Sequence, residues 1–231
     1  MSTTSARVLG VDGCASGWVA VRLAADDATS FSVARDFASL AAPGDVLTYI
    51  DIPIGLPESG ERGCDRAARK VLKGAAARVF LGLRRPLLAH LGDYRAANQW
   101  AKADGKGLSR QAFAILPKIA EIDRAMTRAR QRMVRESHPE LVFCRFNRGV
   151  PLASKHTEEG LRQRRNIVAG HGIEDIDCWL GELRGTGAKP DDLLDAAILA
   201  VAARGATRGP AWRVKCPEAR DARALRMDIW F

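Results

Sequence analysis

The most demanding segment of the sequence is residues 193–203, which is apolar around its whole circumference except for one acid, Asp195. Pro190 and two aspartates precede it and Gly205 follows it, so we predict a helix over 190–204. A helix that is apolar on all sides is buried, and this run falls well short of the ~18 residues that cross a bilayer. Asp195 therefore needs a partner or a metal, because a lone buried carboxylate is costly.

The rest of the pattern predicts an α/β protein with a mixed sheet. At 231 residues the chain is long enough for a proper core, and we treat it as one domain over 1–231. Short runs rich in β-branched and aromatic residues predict strands early in the chain, and helical periodicity dominates after Pro57. We predict strands at 8–11, 18–23, 31–34, 46–50 and 134–137, edge strands at 212–214 and 226–231, and further helices at 37–41, 64–77, 119–133, 157–168 and 173–183.

Charge and cysteine content suggest a compartment and a partner. The 36 Lys and Arg residues against 27 Asp and Glu give a net charge of +9, which favours a polyanion such as DNA or RNA, although arginine-rich composition alone can produce such a surplus. The five cysteines are scattered without a CxxC pair, and the N-terminal MSTTSARVLG has no apolar core of a signal peptide. We therefore expect a cytoplasmic protein with reduced thiols and no membrane association.

At four places in the sequence, acids stand against their local pattern. Asp12 follows the first predicted strand and Asp51 follows the fourth, where a carboxylate can also simply cap a turn. Asp192 and Asp195 lie three apart near the start of the last helix and so share one face. Glu136 lies in an Arg-Glu-Ser-His-Pro-Glu stretch, where it can equally be a solvated residue.

Together these acids suggest a site for a hard cation. Carboxylate oxygens on elements that can converge suit Mg²⁺ or Mn²⁺. Two such ions can bind the attacking water and the leaving oxygen of a phosphodiester. Surrounding Arg and Lys would then hold the phosphate backbone of a nucleic acid.

The same residues resemble a known superfamily. A strand and a later strand that each end in an acid, a hairpin between them, and a late helix with two acids resemble the RNase H-like nucleases. More closely, seven motifs in order resemble the uncharacterised family called domain of unknown function 429, described as predicted nucleases of the RNase H fold. The motifs are VDGCASGW, IDIPIGLP, RGCDRAAR, PKIAEID, ESHPE, SKHT and DDLLDA, between residues 11 and 196.

The resemblance implies roles for individual residues. Asp12, Asp51, Asp192 and Asp195 would be metal ligands, and Glu136 a fifth acid at or beside the site. Phosphate or base contacts would come from Arg84, Arg85, Lys118, His138 and Lys155, each of which can also be an ordinary surface or turn residue. The segment 58–130 is longer than a minimal RNase H core needs and is expected to be a helical insertion whose basic residues bind substrate.

Three functions remain open at this point. The first is a metal-dependent nuclease that hydrolyses phosphodiester bonds by a two-metal mechanism. The second is a non-enzymatic nucleic-acid or protein interaction module on the same scaffold. The third is a sugar-kinase or actin-like nucleotide-binding enzyme, in which the glycines between Gly10 and Gly17 would form a phosphate loop.

Overall fold

Two nearly continuous apolar runs near the N-terminus pair into a hairpin that starts a five-stranded sheet. The structure is a computed structural model that describes residues 7–24, 26, 28–40, 42 and 44–231, without the side chains of 216–219. Its strands are β1 (Arg7–Cys14), β2 (Gly17–Leu23), β3 (Thr29–Ala34), β4 (Asp45–Ile50), β5 (Val134–Glu136), β6 (Arg213–Arg220) and β7 (Arg226–Trp230). Its α-helices are α1 (Gly63–Val71), α2 (Tyr94–Ala103), α3 (Arg110–Ala114), α4 (Leu116–Ala125), α5 (Pro139–Phe146), α6 (Glu158–Gly170), α7 (Ile176–Glu182) and α8 (Pro190–Arg208).

The main sheet is mixed and has the order β3-β2-β1-β4-β5. β1, β2 and β3 pair in antiparallel fashion, and β4 and β5 continue the sheet parallel to β1. Parallel neighbours need long connections, and here the connection from β4 to β5 is the long segment 51–133. The prediction of an α/β protein with a mixed sheet flanked by helices is confirmed.

Helix α8 forms the centre of the core. It packs against β1, β2 and β4, and its residues 193–203 are all buried. Gly10 makes this contact possible, because a Cβ there would lie 2.1 Å from the carbonyl oxygen of Ala196 and 2.2 Å from the backbone nitrogen of Ala200. The absence of a side chain at Gly10 thus lets strand and helix backbones approach closely.

The chain divides into two compact units. The first contains the main sheet and α5–α8, and it comprises residues 1–51, 132–212 and 230–231. The second comprises residues 52–131 and 213–229, with α1–α4 and a two-stranded sheet of β6 and β7. The expected insertion at 58–130 falls within the second unit, to which the structure adds a hairpin from 213–229. The description of the chain as a single domain stays a prediction.

Several predicted boundaries were wrong for identifiable reasons. Helix α1 ends at Val71 because Lys73 adopts a left-handed φ of 35° and a 3-10 turn, Lys73–Arg78, follows. Helix α8 continues through Gly205 to Arg208 and ends at Gly209, since a glycine inside a helix weakens it without stopping it. Helix α2 was not predicted, although Asp93 marks its start by accepting the Ala96 N–H.

Other predicted elements differ in type or extent. The expected helix at 37–41 is a 3-10 turn at Ala38–Leu40, and Ala41 lies outside the described residues. The expected helix at 119–133 is replaced by α4 and a separate 3-10 turn, Arg130–Arg132. A further 3-10 turn lies at Arg85–His90. The expected C-terminal edge strands pair with each other in their own sheet, and Trp230 also makes a parallel bridge to Ser137.

Two physical features bear on the predicted setting. In the part of the chain that the structure describes, no helix has the length and apolar character needed to cross a membrane. Cys14, Cys64, Cys144 and Cys178 are free thiols, and the side chain of Cys216 is outside the described ones.

Candidate functional site

Two acids lie side by side at the carboxyl end of the central parallel strands. Val11 of β1 pairs with Ile50 of β4, and the Asp51 N–H donates to the Val11 carbonyl at 2.9 Å. Asp12 and Asp51 are the next residues on their strands, so their side chains leave the sheet on the same face. Asp12 lies inside β1 and not after its end, because the strand continues to Cys14.

The hairpin turn after β1 places the start of α8 beside these acids. Ser16 Oγ donates to the Thr186 carbonyl at 2.7 Å, and the Ala15 N–H donates to the Gly187 carbonyl at 3.2 Å. Gly187 has a φ of 82°, and a Cβ there would lie 2.6 Å from that of Ser16. The loop before α8 is therefore fixed against the turn after β1, and the first acids of α8 face the strand ends.

The acids of α8 have separate local roles. Asp192 accepts the Lys189 N–H at 2.9 Å and so caps the helix. Asp191 and Asp195 lie four apart, on one face, and both contact the same lysine, Lys155. The sequence paired Asp192 with Asp195 and missed Asp191, whose i,i+4 spacing to Asp195 was the available signal.

Burial and mutual repulsion raise the pKa values of these carboxyls. Burial is the largest cause for Asp12, whose pKa lies well above its usual value, and the charges of Asp51 and Asp195 raise it further. Burial also raises the pKa of Asp51, against the opposing charges of His138 and Lys155. The pKa of Asp195 rises to about 7 for the same reason, although Lys155 opposes the shift. Strongly perturbed carboxyls that act on one another are typical of functional sites.

Lys155 is the cation of this cluster. Its Nζ lies 2.8 Å from Asp195 Oδ2 and 3.3 Å from Asp191 Oδ2. Burial alone would lower its pKa, but the charges of Asp195, Asp12 and Asp191 and the hydrogen bond to Asp195 raise it above its usual value. Lys155 was predicted as a phosphate contact, and the structure places it against the acids.

A buried ion pair supports the cluster from α5 and α6. Glu140, two residues after His138, accepts from Arg164, whose side chain is fully buried. His138 caps α5 by accepting the Glu140 N–H at 3.3 Å, and its charge acts on Asp51. Glu140 and Arg164 were not among the predicted site residues. The motif ESHPE contains Glu140, but nothing in the sequence separates a site acid there from a first-turn acid of a helix.

Glu136 lies on the other face of the sheet. It pairs with Ile50, which in turn pairs with Val11. Partners in a ladder share a face and successive residues alternate, so the Glu136 side chain points away from the face of Asp12 and Asp51. The structure does not bring Glu136 together with the other predicted acids.

The three other predicted basic residues belong to the second unit. Arg84 is buried, with its guanidinium 2.8 Å from Asp104 Oδ2 and 5.3 Å from the ring centre of Trp100. Arg85 pairs with Asp123 at 2.7 Å and with Asp221 at 2.5 Å. Lys118 lies half-buried on α4. The contacts of both arginines are those of structural ion pairs, and a role of Arg84, Arg85 and Lys118 in substrate binding stays a prediction.

The donor atoms of the cluster suit a hard divalent cation. All are carboxylate oxygens, and Asp195 Oδ1 is buried without a hydrogen-bond partner among the described residues. The same described ranges contain no group of three or more His, Cys, Asp or Glu side chains placed so that they could hold a metal ion. Mg²⁺ often takes one or two carboxylates and completes its shell with water and substrate phosphates. That Asp12, Asp51, Asp192 and Asp195 would hold such an ion stays a prediction.

The fold and site together define a mixed α/β protein with a buried acidic cluster where the parallel strands of its sheet end. The chain belongs to the family described as Protein of unknown function (DUF429), whose family model matches residues 10–221. This match confirms the membership that the seven motifs indicated. No curated protein and no solved structure matches the chain.

Proposed function

We propose that this protein is a metal-dependent nuclease that hydrolyses phosphodiester bonds of DNA or RNA on an RNase H-like sheet. One observation carries the proposal: Asp12, Asp51 and Asp195 are carboxyls from three separate elements whose charges act on one another, and Asp12 and Asp195 are buried while Asp51 is partly buried. Concentrating like charges in this way costs stability, and such a cost is usually retained for function.

The topology supports the RNase H-like part of the proposal. Three antiparallel strands, two further parallel strands and a late helix carrying acids are the arrangement that the resemblance implies. The glycines expected to form a phosphate loop lie in a tight hairpin. β1 extends to Cys14 and β2 begins at Gly17, which leaves only Ala15 and Ser16 as the turn. A turn can bind a phosphate through its N–H groups, so the kinase-like alternative stays open.

The chain's own residues would supply position and charge. When bound, Mg²⁺ or Mn²⁺ would polarise a phosphate oxygen and lower the pKa of water. The carboxyls of Asp12, Asp51 and Asp195 would determine where a cation binds, because they lie on β1, on the residue after β4 and on α8. Lys155 adds a positive charge next to Asp195 that can stabilise negative charge developing on a phosphate. The two-metal form of the reaction is the sequence-based expectation.

Asp195→Asn tests this proposal directly. Metal binding is measured by calorimetry with Mn²⁺, and cleavage with pooled labelled DNA and RNA on the same samples. We expect wild type to bind Mn²⁺ and to cut, and Asp195→Asn to lose at least about 100-fold in rate. Glu174→Gln, which changes an exposed acid of the same unit, is the matched control. It should leave Mn²⁺ binding and the cleavage rate unchanged.

The interaction-module alternative has its own outcome. Nucleic-acid binding without any metal-dependent cleavage by wild type, and undiminished in Asp12→Asn, would refute the nuclease and favour a binding module.

A further inference from the structure

Lys155 occupies a place where a metal cation would be expected. Its Nζ is within 3.3 Å of carboxylate oxygens of both Asp195 and Asp191. Its side chain is 32% exposed, whereas that of Asp195 is 4% exposed. The ammonium therefore enters the cluster from its more open side.

The loop that carries Lys155 is fixed to the core on both sides of the lysine. Leu152 is buried, and the carbonyl of Ala153 accepts from Arg164 at 3.0 Å. The Ala153 N–H donates to Gln163 at 2.9 Å. After the lysine, Thr157 donates to the Ser154 carbonyl and caps α6.

Gly160 allows this loop to lie against α6. A Cβ at that position would lie 2.0 Å from the Ser154 carbonyl oxygen. The same arginine that holds Ala153, Arg164, also donates to Glu140 on α5. The position of the Lys155 backbone is thus set by the contacts of its neighbours.

The two oxygens of Asp195 are in different situations. Oδ2 accepts from Lys155, and Oδ1 is buried and has no hydrogen-bond partner in the described part of the chain. A buried acceptor without a partner costs free energy. In two-cation phosphodiester sites, both ions face the same reacting phosphate. Here one oxygen already has its cation and the other has none.

We propose that Lys155 takes the place of one of the two cations, so that the site binds a single divalent ion, on the side of Asp195 Oδ1. This inference rests on the proposed function and narrows it from a two-metal to a one-metal site. A single ion and a fixed ammonium then share the task of neutralising the acids around Asp195.

The test is the number of Mn²⁺ ions bound per full-length chain. Calorimetry with MnCl₂ should give one ion for wild type and two for Lys155→Met, and electron paramagnetic resonance should show Mn–Mn coupling only in the variant. Lys155→Arg keeps the charge and should bind one ion. Lys102→Met, on an exposed lysine of α2, is the matched control and should also bind one. Circular dichroism checks that each variant is folded.

The outcomes separate this inference from the proposed function. The inference is overturned if wild type binds two ions, or if Lys155→Met binds any number other than two. If Lys155→Met does not fold, the numbers of ions bound by wild type and by Lys155→Arg decide the question. Cleavage by a wild-type chain that binds two ions leaves the nuclease standing and removes the one-metal site. One ion without cleavage supports the one-metal site and removes the nuclease. If wild type binds no Mn²⁺ even with oligonucleotide present, both the one-metal site and the metal-dependent nuclease are refuted.

Discussion

At the scale of the residue, Asp12 shows how this site stores free energy. Its usual pKa is 3.8, and burial and then the charges of Asp51 and Asp195 raise it well above that value in the folded chain. Well below pH 3.8 the carboxyl is protonated in both the folded and the unfolded chain, and the shift costs nothing. As the pH rises, the carboxyl loses its proton in the unfolded chain first. The free energy of unfolding therefore falls with pH, and it stops falling once the pH exceeds the folded-state pKa.

We therefore expect Asp12→Asn to stabilise the metal-free protein at pH 8 and to have little effect at pH 4. Asparagine keeps the oxygen that accepts the Gly13 N–H and removes the charge. An increase of about 1–2 kcal/mol in the free energy of unfolding corresponds to a Tm increase of about 2–8 °C for a chain of this size. Thermal unfolding by circular dichroism at both pH values measures it, with Glu174→Gln as control. A lower Tm at pH 8 would mean that neighbours satisfy the carboxylate.

Residue patterns predicted the main acids of the site, but they did not predict which other side chains lie around those acids. Asp12, Asp51 and Asp195 stood out because each interrupts or ends an apolar run. Glu136 looked equivalent, but its side chain faces the other side of the sheet, which depends on the register between strands 84 residues or more apart. Arg164 looked like a surface arginine on a helix, and only tertiary packing shows that it is buried.

At the scale of the element, the contact between β1 and α8 decides whether the acids meet. Asp12 follows Gly10 by two residues, and Asp195 precedes Ala196, the residue whose carbonyl lies over Gly10. The closest approach of strand and helix is therefore directly beside the cluster. Any side chain at position 10 would separate the two elements at that point.

Gly10→Ala should destabilise the protein by about 3 kcal/mol, because the clash is with backbone atoms that have no room to move. Gly205→Ala is the matched control in α8, since a Cβ there meets nothing within 4 Å. Alanine is the better helix former, so this control should gain up to about 1 kcal/mol. Urea unfolding measures both. Equal stability of Gly10→Ala and wild type would contradict the close packing.

Element types were more predictable than element ends. The early strands and α8 have strong, long patterns and were predicted at nearly their observed positions. The second unit was harder to predict, because its helices are short and several 3-10 turns interrupt them. Its C-terminal strands were predicted at 212–214 and 226–231, but local patterns did not show that the two strands pair with each other or that β6 packs on α1.

At the scale of the whole molecule, the net charge of +9 sets how the protein meets a polyanion. Several arginines form ion pairs within the protein, for example Arg84, Arg85 and Arg164. Each ion pair uses one positive and one negative charge, so the net charge stays at +9 and would attract a nucleic acid from a distance. Binding driven by such charges depends on the release of counterions.

Nucleic-acid binding should therefore weaken steeply with salt. About six phosphate contacts would reduce the affinity roughly 1000-fold between 50 and 200 mM salt. Fluorescence anisotropy with a labelled oligonucleotide and without divalent ions gives the slope of log K against log salt. Asp12→Asn should show the same slope, because it changes no phosphate contact. An affinity that is independent of salt would contradict a polyanion partner.

The division of the second unit between residues 52–131 and 213–229 also has a consequence for how the protein is made. On the ribosome, the first part of that unit appears 81 residues before the hairpin that completes it. At about 5–20 residues per second, this delay lasts roughly 4–16 s. During that time α1 lacks β6, and Arg85 lacks Asp221. The nascent chain therefore exposes the apolar surface that β6 later covers, while the acidic cluster of the first unit is still being synthesised. We expect chaperones to bind the chain during this interval.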